Sequence, residues 1–242
     1  MSDVLPITKI PRHGLPPRAL VVGDPDRATA VAGSLTDAVL VGQNREYRSY
    51  TGTWKGVPVV VSSHGVGGPG ALCQFGELAE AGVRTFLRLG TAGSLADGIT
   101  DGDLVIAEAA VRDDGVTQQL IHPEYPAFAT PELVVALSRA APEAHRGVVW
   151  TRAAFSPLVL TLPMAEYLAA RVIAIEMELS TLLVFAALRG LRAGGVLVID
   201  GDARPDHPDP SAYDPHRDVV AEGVARATRV ALDALIDVEG AE

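Results

Sequence analysis

Apolar runs of four to eight residues recur along this chain, separated by helix-length patterns, and this alternation constrains its fold most. Residues 19–22, 57–62, 85–89, 104–111, 147–151, 172–176 and 196–200 are rich in Val, Ile and Leu without polar alternation. A strand lacking a polar face is buried on both sides, the pattern of a parallel sheet beneath two helical layers. Between these runs, residues 69–81, 131–140, 163–170 and 180–189 read as helices. Pro69, Pro131 and Pro163 suit first-turn positions, and Gly82 and Gly190 suit helix stops. Residues 214–236 carry Val219, Val220, Val224, Ala227, Val230, Ala231 and Leu235 at the spacing of an amphipathic helix that closes one face of the sheet. The expectation is one α/β domain over residues 1–242: a three-layer αβα sandwich with a central, mostly parallel mixed sheet.

At 242 residues, 48% of them hydrophobic, the chain can bury a large core, and a mean hydropathy of +0.23 argues against disorder. A net charge of −10 disfavours nucleic acid and anionic membrane surfaces as partners and favours a small ligand. The single cysteine, Cys73, excludes an intramolecular disulfide and a cysteine metal cluster. It is expected on a buried helix face, as packing. No apolar run reaches the ~18 residues of a membrane span, and no basic stretch precedes an apolar one at the N-terminus. The expected location is cytoplasmic.

Against this acidic balance, three arginines sit where an oxyanion would suit. Gly23-Asp24-Pro25-Asp26-Arg27 follows the first strand and opens a helix, so backbone N–H groups can face an anion. Arg88-Leu89-Gly90-Thr91-Ala92-Gly93 continues the third strand; arginine's fork donates in parallel to an oxyanion, and Thr91 adds a hydroxyl. Read alone, Arg88 is better taken as a buried arginine paired to a carboxylate; three glycine-bearing strand ends in one domain reverse that preference. Arg45 lies in the polar patch Gln43-Asn44-Arg45-Glu46-Tyr47. Between them, His64-Gly65-Val66-Gly67-Gly68-Pro69-Gly70 is a glycine-rich strand-to-helix turn with neither the dinucleotide spacing nor the Lys-Ser/Thr of a P-loop. His64 reads as a structural hydrogen-bonding residue more than as a base. The ligand these turns suggest is phosphate.

Carboxylates mark the other strand ends. Glu176-Met177-Glu178 closes the sixth strand, and a pair of acceptors there suits vicinal sugar hydroxyls. The alternative is charge complementing the dipole of the next helix, a better account of Glu178 than of Glu176. Asp200-Gly201-Asp202 ends the last strand, where an aspartate can protonate a leaving base or simply shape a turn. The proline-broken segments 121–126 and 206–210 are lids or solvated connectors.

Taken in order, these motifs resemble the nucleoside phosphorylase family that includes hexameric purine nucleoside phosphorylases and uridine phosphorylases. The matching stretches are Gly23 to Arg27, Asn44-Arg45, Tyr50-Thr51-Gly52-Thr53-Trp54-Lys55-Gly56, His64 to Pro69, Arg84 to Gly93 and Glu176-Met177-Glu178. The resemblance implies reversible, phosphate-dependent cleavage of an N-glycosidic bond, with inorganic phosphate as co-substrate and no cofactor or metal. It places Gly23, Arg27, Arg88, Gly90 and Thr91 at the phosphate, with Arg45 donated from a neighbouring subunit of a trimer of dimers. It assigns Glu176, Met177 and Glu178 to the sugar and Phe155 to the base.

The chain departs from the family pattern at four places. The N-terminal histidine that binds the sugar 5′-hydroxyl has no clear match, since Leu5-Pro6-Ile7 stands there. The uracil-reading Gln-x-Arg has no counterpart in Ser156-Pro157-Leu158-Val159-Leu160-Thr161. Asp200-Gly201 replaces Ser-Asp, leaving either Asp200 or Asp202 as proton donor, and the following segment is proline-rich instead of helical. The expected function is a nucleoside phosphorylase of purine-type substrates in nucleotide salvage. The alternatives are a uridine phosphorylase with a rebuilt base pocket and a non-catalytic binding homologue.

Overall fold

The computed structural model of the protein describes residues 3–156, 158–204, 214 and 216–238. The chain alternates strands and helices: β1 (Arg18–Val22), α1 (Pro25–Ala32), β2 (Thr36–Asn44), β3 (Tyr47–Trp54), β4 (Val57–Ser63), α2 (Gly68–Ala81), β5 (Thr85–Ser94) and β6 (Leu104–Asp113). There follow β7 (Ala127–Phe128), α3 (Pro131–Ala140), β8 (His145–Arg152), α4 (Met164–Ala169), β9 (Ala174–Glu176), α5 (Leu179–Leu188), β10 (Arg192–Asp202) and α6 (Asp218–Asp237). Each of the seven apolar runs contains a strand, although in run 172–176 the strand begins only at Ala174. Gly82 ends α2 at φ 125°, and Gly190 follows α5 at φ 65°, both left-handed values that favour glycine.

The sheet is mixed. At its centre β10, β5, β1 and β4 run parallel, while β2, β3 and β4 form an antiparallel meander at one edge. Helices cover both faces, and the glycines of β10 show which helix lies where. A methyl group on Gly194 would meet Leu133 of α3, and one on Gly195 would meet Leu179 of α5. Successive strand residues face opposite sides, so α3 and α5 lie on opposite layers. A methyl on Gly223 of α6 would meet Val198, which shares the face of Gly194, so α6 joins the α3 layer.

Strand β5 creates the opening in which the site sits. Its first half, Thr85 to Leu89, pairs with β1, whereas Gly93 and Ser94 pair on that side with β9. On the other side β10 runs beside β5 from Thr85 to Ser94. Gly90, Thr91 and Ala92 therefore pair on one side alone, in the gap between the end of β1 and the end of β9. Crevices of this kind, beyond the carboxyl ends of parallel strands, are where open α/β sheets bind ligands. Pairings among β5, β10, β6, β8 and β9 complete a closed circuit around the same region.

Three expectations need correction. Cys73 is exposed, because the inward stripe of α2 runs through Ala71, Gln74, Phe75 and Leu78 and position 73 falls outside it. Helix α6 starts at Asp218 instead of residue 214, and Val219 is exposed while Val220, Ala227, Val230, Ala231 and Leu235 are buried. Pro163 precedes α4 as its N-cap instead of lying in the first turn. Segment 121–126 is an anchored connector: Arg112 donates to the backbone carbonyls of Ile121, His122, Pro123 and Tyr125. Segment 206–210 lies outside the described residues.

Candidate functional site

One cleft of about 1500 Å³ opens at the strand ends, and every expected site residue except Arg45 lines it. Its phosphate-type wall is built from two stacked turns. Asp24 caps α1 by accepting from the Asp26 N–H at 2.8 Å, and Pro25 starts the helix, so Arg27 is its third residue, in the first turn. The second turn lies against the first: His64 N–H donates to Val22 O at 2.8 Å and Gly65 N–H to Gly23 O at 2.9 Å. Gly65 (φ 75°) and Gly67 (φ 92°) adopt left-handed backbone, and a side chain on Gly65 would strike Glu46.

Arg88 is the hub of the cleft floor. Its side chain is buried, with Nη1 3.3 Å from Glu176 Oε2 and Nη2 bonded to Glu178 Oε2. Nε and Nη1 make no hydrogen bond to any described residue. The guanidinium folds back over Gly90, whose missing side chain gives it room. Arg88 is thus a buried, carboxylate-paired arginine that also lines the cleft.

The carboxylates divide the labour differently from the sequence expectation. Glu176 caps α5: it accepts from Glu178 N–H at 2.9 Å, from Leu179 N–H at 2.9 and 3.0 Å, and from the Thr151 hydroxyl. With Arg88 beside it, Glu176 acts as a cap and counter-ion. Burial pushes its pKa up, against Arg88, and the charge of Glu178 adds to the rise. Glu178 accepts from Gly67 N–H through Oε1 and from Arg88 through Oε2, and each oxygen keeps a further lone pair for a ligand hydroxyl. Burial pushes Glu178 up too, but Arg88, His64 and the Gly67 N–H outweigh it and leave its pKa lowered.

His64 is fully buried, its Nδ1 2.8 Å from Gly65 O and its ring edge-on to Phe75 at 5.7 Å. A carbonyl only accepts, so Nδ1 carries the hydrogen and Nε2 is the bare acceptor, with no partner among the described residues. Burial first, then Arg88, lowers its pKa to about 4, and the ring is neutral at physiological pH.

On the neighbouring strand, β10 breaks register with β5 between Ile199 and Gly201. Asp200 sits at this irregularity, 3% exposed, on the cleft wall. Bulges re-aim side chains in this way beside active sites. Asp202, two residues on, is gripped by Arg204: Nε lies 3.0 and 3.1 Å from its two oxygens and Nη2 2.6 Å from Oδ2. Arg204 also pairs with Asp97, and Arg217 links Asp101 to the Asp200 carbonyl.

The Phosphorylase superfamily matches residues 17–237 of this sequence. The chain belongs to the nucleoside phosphorylase family. It is 37% identical over 196 residues to a uridine phosphorylase of Thermococcus kodakarensis, covering 74% of this chain and 71% of that one. It is 35% identical over 207 residues to a purine nucleoside phosphorylase of Plasmodium falciparum, covering 83% and 84%. The crystal structure of purine nucleoside phosphorylase from Toxoplasma gondii in complex with immucillin-H superimposes with a TM-score of 0.91 at 30% identity, covering 97% and 96%.

Within this nucleoside phosphorylase, Phe155 lines the cleft with two thirds of its surface exposed, and Leu158, Val159 and Leu160 beyond it are exposed as well. Arg45 stands at the tip of the β2–β3 hairpin at φ 52°, exposed, and does not line this chain's own cleft. The sequence reading missed Glu46, Asp101, Arg152, Arg204 and Arg217, which also line it. Apart from Asp101, which precedes Gly102 in a turn, none lies in a glycine-bearing turn; spacing from Asp202 could have flagged Arg204.

Proposed function

We infer that this nucleoside phosphorylase uses inorganic phosphate to cleave the N-glycosidic bond of a purine-type nucleoside reversibly, yielding free base and ribose 1-phosphate. The observation that carries the reading is the meeting of Arg27, Arg88, Gly90, Thr91 and Asp200 in the lining of a single cleft. An anion held by the arginines is placed to attack C1′ as the base departs. The C1′–N bond breaks, a C1′–O bond to phosphate forms, and the base takes a proton. Positive charge that develops on the ribose is stabilised by the anion itself, so positioning and fixed electrostatics supply the catalysis without a covalent enzyme intermediate.

Glu178 takes the ribose hydroxyls on its spare lone pairs, Met177 packs on the sugar, and Phe155 stacks on the base. Asp200 is the proton donor: it is buried on the wall at a bulge, whereas Asp202 has both oxygens occupied by Arg204. Proton donation suits a purine, whose leaving nitrogen system accepts one. Arg45, exposed at a hairpin tip, reaches the phosphate of a neighbouring subunit, so the active unit is at least a dimer within a trimer-of-dimers hexamer. Phosphate is the sole co-substrate, no cofactor or metal takes part, and the setting is cytoplasmic nucleotide salvage.

The test is base release from inosine, adenosine, 5′-methylthioadenosine, uridine and thymidine, with and without phosphate. Phosphate-dependent purine release is the expected result. Turnover that ignores phosphate would make the protein a hydrolase, preference for uridine would move it to the pyrimidine branch, and no turnover at all would sink the enzymatic reading.

A further inference from the structure

The buried cluster beneath the phosphate wall holds one cation and two carboxyl groups. Arg88 is sandwiched between Glu176 and Glu178, and all three side chains are at most 5% exposed. With both carboxyls ionised the cluster has a net charge of −1, and a phosphate dianion would then approach a site whose central arginine is already over-neutralised. Like charges without water between them repel strongly. We propose that the Glu176–Glu178 pair holds one proton, on Glu176, whenever the anion site is filled, so that phosphate binding draws a proton from solvent. This deepens the phosphate reading above and rests on it.

The surroundings favour Glu176 as the carrier. Arg88 faces it from β5, Thr151 from β8, and Glu178 with its N–H from the start of α5. His64, from the turn after β4, and Arg27, from α1, complete the charged or titratable groups around the cluster, and Asp114 reaches the same turn of α5 through Ser180. The arginines stay charged throughout the neutral range, and His64 stays neutral there because burial holds its pKa near 4. Glu178 is drawn down, and its oxygens meet donors, Gly67 N–H and Arg88, which favour the anion. Glu176 Oε1 meets the Thr151 hydroxyl beside the Leu179 N–H, and a hydroxyl can accept a hydrogen as well as donate one. A proton on Oε1 points at Thr151 Oγ1, while Oε2 goes on accepting from the two N–H groups of α5. Glu176 thus serves as a positioning residue that adjusts the charge around Arg88.

Sulfate is the clean probe, because it remains a dianion from about pH 6 to about pH 9 while phosphate titrates. Calorimetry of sulfate and phosphate binding in two buffers of different ionisation enthalpy counts the protons taken up. The expected wild-type result is uptake of up to one proton per sulfate, with affinity falling about tenfold per pH unit on the alkaline limb. Glu176→Gln should bind sulfate with no uptake and a flat pH profile. A wild-type uptake of zero with pH-independent affinity would overturn the proposal, as would unchanged uptake in Glu176→Gln; the wild-type count decides even if the variant fails to fold. If neither anion binds at any pH, the phosphate site itself is refuted, and base release would then be independent of phosphate.

Discussion

Gly90→Ala isolates the placement of Arg88 from its charge. A methyl group at this position would lie 2.0 Å from Arg88 Nη1, 2.6 Å from Cζ and 2.9 Å from Nη2. Non-bonded heavy atoms settle at about 3.5 Å, so the guanidinium must retreat by roughly 1.5 Å. Gly90 has no left-handed backbone and pairs with Leu197 of β10, so the strand itself accepts alanine. The displaced guanidinium loses its place between Glu176 and Glu178 and its aim into the cleft. A misplacement of about 1 Å costs ~10²-fold in rate, and loss of one oxyanion donor costs ~10² to 10³. The expected fall in kcat/KM for phosphate is therefore about 10²- to 10³-fold, or ~3–4 kcal/mol at about 1.4 kcal/mol per decade. Steady-state phosphorolysis with phosphate varied at saturating nucleoside reads it directly. The double variant Gly90→Ala/Arg88→Ala should be no worse than Arg88→Ala alone, because both remove one interaction. A kcat/KM for phosphate within about threefold of wild type in Gly90→Ala would refute the placement of Arg88 in the phosphate site.

Three other outcomes follow from the same geometry. Asp200→Asn should lower kcat on a purine nucleoside by ~10²-fold or more while Asp202→Asn costs about tenfold or less, and the reverse order would reassign the proton donor. His64, with a native pKa of about 4 against an unfolded value of 6.5, leaves the unfolded chain binding more protons between those values, so stability falls as pH drops from 6.5 towards 4. That loss amounts to about 3 kcal/mol, and urea midpoints near pH 7 and pH 4.5 should show it shrinking in His64→Gln; equal pH dependence in the two proteins would exclude a neutral buried ring. Arg27→Ala should raise KM for phosphate and weaken its salt dependence, whereas Arg88→Ala should lower kcat and also destabilise the fold, by ~3–5 kcal/mol for a broken buried pair; similar profiles for the two variants would contradict their separate roles.

The core strands were legible because each is an unbroken apolar run, and the lining of the cleft because glycine and arginine at a strand end have few other uses. The meander was not: β2 is exposed through most of its length, and Arg45 was seen only as part of a polar patch although it occupies a hairpin tip. Glu176 and Glu178 were legible as a pair but not in their roles. Strand alternation puts them on one face, yet α5 begins between them in space, and the backbone N–H groups of that helix claim Glu176. Asp200 and Asp202 could not be ranked from sequence, since the distinction rests on a register break and on Arg204. Cys73 was misplaced by a single helical position.

The opposition between an anion-binding arginine and a carboxylate-paired one dissolves once burial is considered. An exposed arginine could bind phosphate but would sample many rotamers, and the entropy of fixing it would be charged to each binding event. Arg88 is instead fixed before ligand arrives, by Glu178 on one nitrogen and Glu176 on another, with the absence of a side chain at Gly90 leaving it room. In the proposed reading, the same contact has one carboxylate orient the arginine and present lone pairs to the sugar, so that a single ion pair holds phosphate and ribose relative to each other. The consequence is that substitutions at Glu178 and Arg88 should be strongly non-additive, since either one alone releases both halves of the reaction.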